Sequence, residues 1–191
     1  MSVEIEAKMK VDSLEETVAK LKTVGGERIG DFEEVNSFFD SEDRSLLAAD
    51  EGLRLRVAKN SDTQAEKYVL TFKGPRLHGK LKSREERELD VGNAKDAERF
   101  LNALGFKKVL AFEKKRTKWK LGGCSIELDT LPHLGTFVEI EGPDEETVLR
   151  VRTQLGLDRA PIIKSSYIAM LMAYLQDQNR PDRIVTFNDK K

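Results

Sequence analysis

The alternating stretch at residues 3–10 reads VEIEAKMK. Successive side chains of a β-strand point to opposite faces, so this stretch predicts a strand with one apolar and one charged face. The apolar face carries Val3, Ile5, Ala7 and Met9, and the charged face carries Glu4, Glu6, Lys8 and Lys10. The same alternation recurs along the chain, so this stretch indicates how the other strands are arranged.

Charged residues spaced two apart recur in five further predicted strands, and Lys73 ends another. These sets are Arg54/Arg56, Lys82/Arg84/Glu86/Glu88, Lys114/Arg116/Lys118, Glu127/Asp129 and Glu139/Glu141. A sheet with one solvated face would explain any single set. Several sets carry one sign, however, and side chains two apart on a strand lie about 6.6 Å from each other. Each set therefore needs opposite charge nearby, which a closed barrel with inward charged faces would supply.

The remaining pattern predicts an α+β fold. Apolar residues at helical spacing predict four helices, at residues 13–24, 93–104, 144–155 and 165–176. Alternating segments predict further strands at residues 35–40, 52–59, 67–73, 82–91, 110–121, 124–129 and 135–141. We expect one domain over residues 1–178 and a flexible polar tail over residues 179–191. Leu171, Tyr174 and Leu175 on the last helix fit either the core or a homodimer interface.

Composition limits the partners and the compartment. The 191 residues include 33 Lys and Arg and 34 Asp and Glu, so the charges nearly cancel. Binding to nucleic acid or to an anionic membrane draws on an excess of basic charge, so we expect neither partner. Cys124 is the only cysteine, which excludes an internal disulfide and fits a reducing compartment. Without a signal peptide or a membrane-spanning apolar run, the sequence predicts a cytoplasmic protein.

An ordered set of motifs resembles the CYTH superfamily, also called triphosphate tunnel metalloenzymes, which includes class IV adenylyl cyclases and thiamine triphosphatases. The resemblance runs from Glu4-Ile-Glu6-Ala-Lys8 to Lys164-Ser-Ser-Tyr167. Between them stand Phe38-Phe-Asp40, Leu53-Arg-Leu-Arg56, Thr71-Phe-Lys73-Gly, Arg84-x-Glu86-x-Glu88, Lys114-x-Arg116, Glu127-x-Asp129 and Glu139-Ile-Glu141. One such motif would be weak evidence, whereas the ordered set is specific.

The resemblance implies a closed eight-stranded antiparallel β-barrel, with helices packed outside, that binds a triphosphate-containing small molecule with Mg²⁺ or Mn²⁺. By position, the implied metal ligands are Glu4, Glu6, Glu139 and Glu141, with Asp129 as a further one. The implied phosphate contacts are Lys8, Arg54, Arg56, Lys73, Arg84, Lys114, Arg116 and Lys164. Of these, Lys73, Arg54 and Arg56 are the implied catalytic residues. Glu86 and Glu88 would orient the cations or bind a second metal.

Two reactions are compatible with such a site. Attack of water on the terminal phosphorus gives a triphosphatase, and attack of a ribose hydroxyl on the α-phosphorus gives an adenylyl cyclase. Thiamine triphosphatases of this family carry a tyrosine where this chain has Phe38, so the resemblance favours a nucleoside or inorganic triphosphate. The alternative to an enzyme is a non-catalytic module that binds polyphosphate or nucleotide without turnover.

Overall fold

Eight strands close into one antiparallel barrel in the computed structural model, which describes residues 2–189. The strands are β1 (Ser2–Val11), β2 (Glu27–Asp40), β3 (Gly52–Asn60), β4 (Glu66–Arg76), β5 (Lys82–Asp90), β6 (Lys107–Leu121), β7 (Cys124–Leu131) and β8 (Gly135–Gly142). Around the barrel their order is β1-β5-β4-β3-β2-β6-β7-β8, and β8 pairs with β1 again. The closed α+β barrel that the sequence predicts is confirmed.

Five helices of the described chain lie outside the barrel. They are α1 (Leu14–Thr23), α2 (Ser45–Ala48), α3 (Ala94–Ala103), α4 (Glu145–Gln154) and α5 (Tyr167–Asp177). Four begin at a polar cap whose side-chain oxygen accepts a backbone N–H, and these caps are Ser13, Asn93, Asp144 and Ser166. The sequence predicts these four and misses α2, which is too short to show helical spacing. None of the five is long and apolar enough to cross a membrane.

The apolar faces of the strands point outward and pack beneath helices. The largest buried cluster contains Ala7, Met9, Ile126, Val138 and Ile140, from β1, β7 and β8. Helices α1 and α4 cover this wall, and α3 covers a smaller cluster on β3. Alternation along each strand then directs the charged faces into the barrel.

Helix α5 packs over one end of the barrel. There the inner faces of β6, β7 and β8 change from charged to apolar, at Phe112, Leu131 and Phe137. Tyr167, Leu171 and Leu175 of α5 are buried against these side chains. Leu171 and Leu175 therefore belong to the core of this chain.

The segment after residue 178, for which the sequence predicts a flexible tail over residues 179–191, contains one short strand in its described part, residues 179–189. A two-residue strand, β9 (Ile184–Val185), runs parallel to β6 at Ala111 and Phe112. Val185 is fully buried, and the backbone N–H of Phe187 donates to Glu113. A strand of two residues is too short to show alternation of polar and apolar residues, so the sequence pattern does not predict it. The extent of the domain over residues 1–178 stays a prediction.

Candidate active site

The barrel encloses a cavity of about 670 Å³, within the range of small-molecule sites. Its lining includes charged side chains from seven strands: Glu4, Glu6, Lys8, Arg54, Arg56, Lys73, Lys82, Arg84, Glu86, Glu88, Lys114, Arg116, Lys118, Glu127, Glu139 and Glu141. Lys164, from the segment before α5, lines it as well. The cavity lining thus contains every residue that the sequence assigns to the site except Asp129, which is fully buried.

The register of β1 with its two neighbours explains why opposite charges meet. Glu4 lies opposite Arg84 and Glu6 lies opposite Lys82 on β5. On the other side of β1, Lys8 lies opposite Glu139 on β8. Directly opposed residues of antiparallel strands have Cβ atoms about 5 Å apart, so each position faces a partner across the strand boundary.

Carboxylates crowd one region of the cavity. Burial and the negative charges of Glu4, Glu127, Glu6 and Glu86 raise the pKa of Glu141 to about 8. No ion pair with a basic side chain relieves Glu141 among residues 2–189, whereas Lys82 donates to Glu6 at 2.6 Å. This region therefore carries more negative charge than its own basic neighbours offset.

Glu4 and Glu86 share a hydrogen bond beside Lys73. Burial, and then the hydrogen bond with Glu4, raise the pKa of Glu86 to about 8. Burial opposes the charge on Glu4 too, but the hydrogen bond with Glu86 and the positive charge of Lys73 lower its pKa to about 2. Lys73 Nζ lies 3.3 Å from Glu4 Oε2 and pairs with Glu86 as well. Near neutral pH, the pair thus shares one proton.

Arg116 joins three acidic residues at the base of the cavity. Carboxylate oxygens of Glu127, Asp129 and Glu139 lie within 4.8 Å of one another, a donor set that suits a hard divalent cation. Arg116 Nη2 lies 2.5 Å from Asp129 Oδ2 and 2.8 Å from Glu139 Oε2, and Nη1 pairs with Glu127. Glu127 is a site residue to which the sequence assigns no role.

Asp129, which the resemblance implies as a further metal ligand, contacts three donors of the protein. Its carboxylate is fully buried and accepts from Arg116 Nε at 2.6 Å and from Tyr167 Oη at 2.9 Å. Lys114 Nζ lies 3.4 Å from the same carboxylate. With donors on both oxygens, Asp129 orients two cations and the first residue of α5.

Glu34 supports a second group of cations and is missed by the sequence analysis. It is buried on β2, where its carboxylate lies 3.2 Å from Lys114 Nζ and 3.3 Å from Arg56 Nε. Arg56 Nε also donates to Asn36 at 2.9 Å. Glu34 and Asn36 lie two residues apart on one face of β2. The sequence analysis starts this strand at residue 35, so this spacing is visible only when β2 is known to begin at Glu27.

Arg54 is a buried cation with spare hydrogen-bonding capacity. Its Nη2 donates to Thr71 at 3.0 Å and lies 3.6 Å from Glu88. Its Nε is buried and has no partner among residues 2–189. Burial, and then the positive charge of Arg56, lower the pKa of Arg54 to about 10. An anion in the cavity would relieve both the unpaired N–H and the repulsion between the arginines.

Asp50 binds two arginines at the edge of the cavity. The sequence pattern does not indicate Asp50 as a site residue. Its Oδ1 accepts from Arg84 Nη2 at 2.7 Å, and its backbone oxygen accepts from Arg84 Nη1 at 2.8 Å. Its Oδ2 accepts from Arg76 Nε at 2.9 Å. Asp50 has a φ of 56°, a left-handed conformation that directs its main chain and side chain at the same guanidinium. Arg84 is thus held in place by a partner from the loop between α2 and β3.

Two cations of the cavity lining, Lys164 and Arg44, have no acidic partner among residues 2–189. Lys164 Nζ donates to the carbonyl of Gly79 at 3.4 Å. Arg44 lines the same cavity, just before α2. Neither residue pairs with a carboxylate within the described chain, unlike the other basic residues of the cavity.

Comparisons with known proteins agree with this geometry. The family model of the CYTH domain matches residues 2–167. Adenylate cyclase CyaB from Aeromonas hydrophila is 27% identical over 177 residues, covering 86% of this chain and 86% of that protein. A Methanocaldococcus jannaschii protein with the provisional name of an adenylate cyclase is 27% identical over 177 residues, covering 88% and 98%. A solved structure from Pyrococcus horikoshii OT3 is 27% identical, with a TM-score of 0.78, covering 90% of this chain and 99% of that one.

Proposed function

The chain belongs to the CYTH domain family, and on that basis we propose that it is a divalent-metal-dependent enzyme acting on a triphosphate substrate inside its barrel. One observation carries the proposal: crowded carboxylates and buried cations line one and the same cavity. A pocket for a simple anion would not require the carboxylates, since negative charge beside a phosphate weakens its binding. The combination fits a polyanion that binds together with a cation.

Four glutamates would hold the metal: Glu4, Glu6, Glu139 and Glu141. Mg²⁺ and Mn²⁺ prefer oxygen ligands, and the raised pKa of Glu141 reflects negative charge that a divalent cation would offset. When bound, such a cation neutralises phosphate oxygens and polarises the phosphorus that is attacked. Asp129 is proposed as a further ligand, and it would exchange its contacts with Arg116, Lys114 and Tyr167 for the cation.

The basic residues would bind and orient the phosphates. The set comprises Lys8, Arg54, Arg56, Lys73, Arg84, Lys114, Arg116 and Lys164. Phosphoryl transfer depends on positioning and on charge neutralisation more than on covalent chemistry by the protein. Arg54, Arg56 and Lys73 are proposed to stabilise the charge that develops on the phosphoryl oxygens. Three carboxylates hold members of the basic set in place: Glu34 pairs with Arg56, Glu86 with Lys73, and Asp129 with Arg116.

The reaction is tested by product analysis. The purified protein is incubated with ATP, with thiamine triphosphate and with inorganic tripolyphosphate, each with Mg²⁺, with Mn²⁺ and with EDTA. Cyclic AMP with pyrophosphate identifies a cyclase, and release of phosphate identifies a triphosphatase. Turnover in either form must cease in EDTA. Tight metal-dependent binding with no turnover of any of the three would favour the binding module and contradict the enzyme.

A further inference from the structure

The aromatic ring of Tyr167, the first residue of α5, lies against two buried cations of the cavity. Lys8 Nζ is 3.9 Å from the centroid of this ring, and Lys114 Nζ is 5.5 Å from it. Both lysines are buried, so little water screens their charge. The face of an aromatic ring carries negative charge and attracts an ammonium group, more strongly where water is excluded. One ring thus contacts a cation from β1 and a cation from β6.

Each ammonium group has oxygen partners besides the ring. Lys8 Nζ donates to the backbone carbonyl of Ser165 at 3.1 Å and lies 3.1 Å from Glu139 Oε1. Lys114 Nζ lies 3.2 Å and 3.4 Å from two carboxylate oxygens. An ammonium group has three N–H donors, so two oxygen partners leave one donor for an oxygen of a ligand. The ring restricts the ammonium groups without supplying an oxygen that would compete with that ligand.

The ring of Tyr167 is itself held by contacts from several elements. Its hydroxyl donates to Asp129 Oδ2 on β7 at 2.9 Å. Phe137 on β8 packs against it edge to face, with the ring centroids 5.2 Å apart. The start of α5 is fixed by its cap Ser166, whose side chain accepts from the backbone N–H of Ala169. A ring that is held in this way can in turn fix the cations that it contacts.

These contacts give Tyr167 a role that an aliphatic side chain of the core would not have. A leucine would fill much of the same space but would place two buried charges against a group that does not attract them. We propose that Tyr167 is a positioning residue, whose ring fixes the Lys8 and Lys114 ammonium groups in the orientation that binds phosphate oxygens. The inference rests on the proposed function, in which both lysines contact the triphosphate.

The experiment separates the charge of the ring face from the volume of the ring. Fluorine atoms added one at a time to a phenylalanine ring weaken its negative face and change its shape little. Dissociation constants for tripolyphosphate with Mn²⁺ are measured for the native protein, for Tyr167→Phe, for its mono-, di- and trifluorinated analogues, and for Tyr167→Leu. KM and kcat are measured with any triphosphate that is turned over. Thermal unfolding verifies that each variant is folded.

The matched control is Leu171→Ala. Leu171 is fully buried in the same helix and the same apolar cluster as Tyr167, and it is not among the cavity-lining side chains of the described chain. This variant therefore loosens the packing of α5 without removing a contact to a cation.

We expect Tyr167→Phe to bind tripolyphosphate within about threefold of the native protein, because it keeps the ring. Each added fluorine should weaken binding further, and Tyr167→Leu should weaken it about tenfold or more, with a larger effect on KM than on kcat. The control should bind as the native protein does. Equal binding by Tyr167→Phe, its trifluorinated analogue and Tyr167→Leu, or an equal loss in the control, would overturn the positioning role while the proposed function stands.

A second readout does not depend on binding of a triphosphate. Protons of the Lys8 side chain that lie over the ring are shifted upfield by its ring current in an NMR spectrum. Tyr167→Phe should keep this shift, and Tyr167→Leu should abolish it. If the native protein binds neither tripolyphosphate nor ATP, the proposed function fails, and the Lys8 shift still decides whether the ring holds the cation. A native spectrum without that shift would overturn the contact itself.

Discussion

At the scale of single residues, the cavity is a set of paired charges in which few side chains act alone. Arg116 pairs with three carboxylates. Asp129 pairs with two cations and accepts a hydrogen bond from Tyr167. Lys73 pairs with both Glu4 and Glu86. Breaking a buried pair leaves a charge uncompensated and costs several kcal/mol, on the order of 3–5. A substitution in one of these networks therefore affects several ion pairs at once. The informative variants are those at side chains whose charge has the fewest partners of opposite sign.

Glu141 is the least compensated carboxylate, and its titration gives a pH prediction. Its pKa of about 8 in the folded chain lies above the ordinary value of 4.5, so the folded state holds a proton that the unfolded state has lost. The stability linked to this proton is fully present below about pH 4.5 and is lost as the pH rises through 8. Glu141→Gln should raise the free energy of unfolding of the metal-free protein at pH 8 by about 1–3 kcal/mol.

The measurement is urea unfolding of the metal-free protein at pH 5 and pH 8. The control is Glu146→Gln, which removes a solvent-exposed carboxylate at the start of α4. The gain from Glu141→Gln should shrink towards pH 5, where the native glutamate is protonated. An equal gain at both pH values, or a loss at pH 8, would refute the account of the crowded carboxylates.

Asp50 gives a prediction about positioning. Asp50→Ala removes the carboxylate that holds Arg84 and Arg76, so Arg84 keeps only its bonds to backbone carbonyls and is less firmly oriented. We expect KM for the triphosphate to rise about tenfold with a smaller change in kcat, because an orientation is lost while the charge remains. Glu85→Ala, which breaks an equivalent pair with Arg87 on the outer face of β5, should leave both constants unchanged. Equal effects of the two variants would remove Asp50 from the site.

At the scale of elements, alternation and helical spacing predict most of the fold. That Glu4, Glu6 and Lys8 share one face follows from β1 alone, whereas their inward direction follows from the recurrence of such faces on the other strands. The parts that escape prediction are those with no period: α2 and β9 are too short, and residues 27–34 of β2 carry charged side chains on both faces. Consequently the sequence pattern does not reveal Asp50, beside α2, or Glu34, in that part of β2. Asp129 is identified, but spacing fixes only a strand face and cannot show which donors surround a carboxylate.

The C-terminal strand β9 gives the prediction at this scale. Val185 is fully buried against β6 and α5, whereas its neighbour Ile184 is 60% exposed. Val185→Ala should lower the free energy of unfolding by about 1–3 kcal/mol, since it removes buried methyl groups and leaves a cavity. Ile184→Ala should change it by less than about 0.5 kcal/mol. Urea unfolding of both variants gives the comparison, and equal small effects would mean that residues after 178 do not contribute to the core.

At the scale of the whole molecule, a net charge near zero accompanies a cavity whose charged side chains are unevenly distributed. Basic side chains outnumber acidic ones around the cavity, yet the carboxylates concentrate around Glu141. We therefore expect a divalent cation and a triphosphate to bind together, each offsetting the charge that the other meets. Binding of one should strengthen binding of the other by the same factor, as linkage demands.

Calorimetric titration of tripolyphosphate or ATP, with and without Mn²⁺, tests this claim most directly. We predict at least tenfold tighter binding with Mn²⁺ in the native protein, and loss of that enhancement in the Glu4→Gln/Glu6→Gln double variant. Arg54→Ala should weaken binding whether or not Mn²⁺ is present, since it removes a phosphate contact. Binding of equal strength with and without Mn²⁺, unaffected by either change, would contradict a cavity built for a metal and a triphosphate.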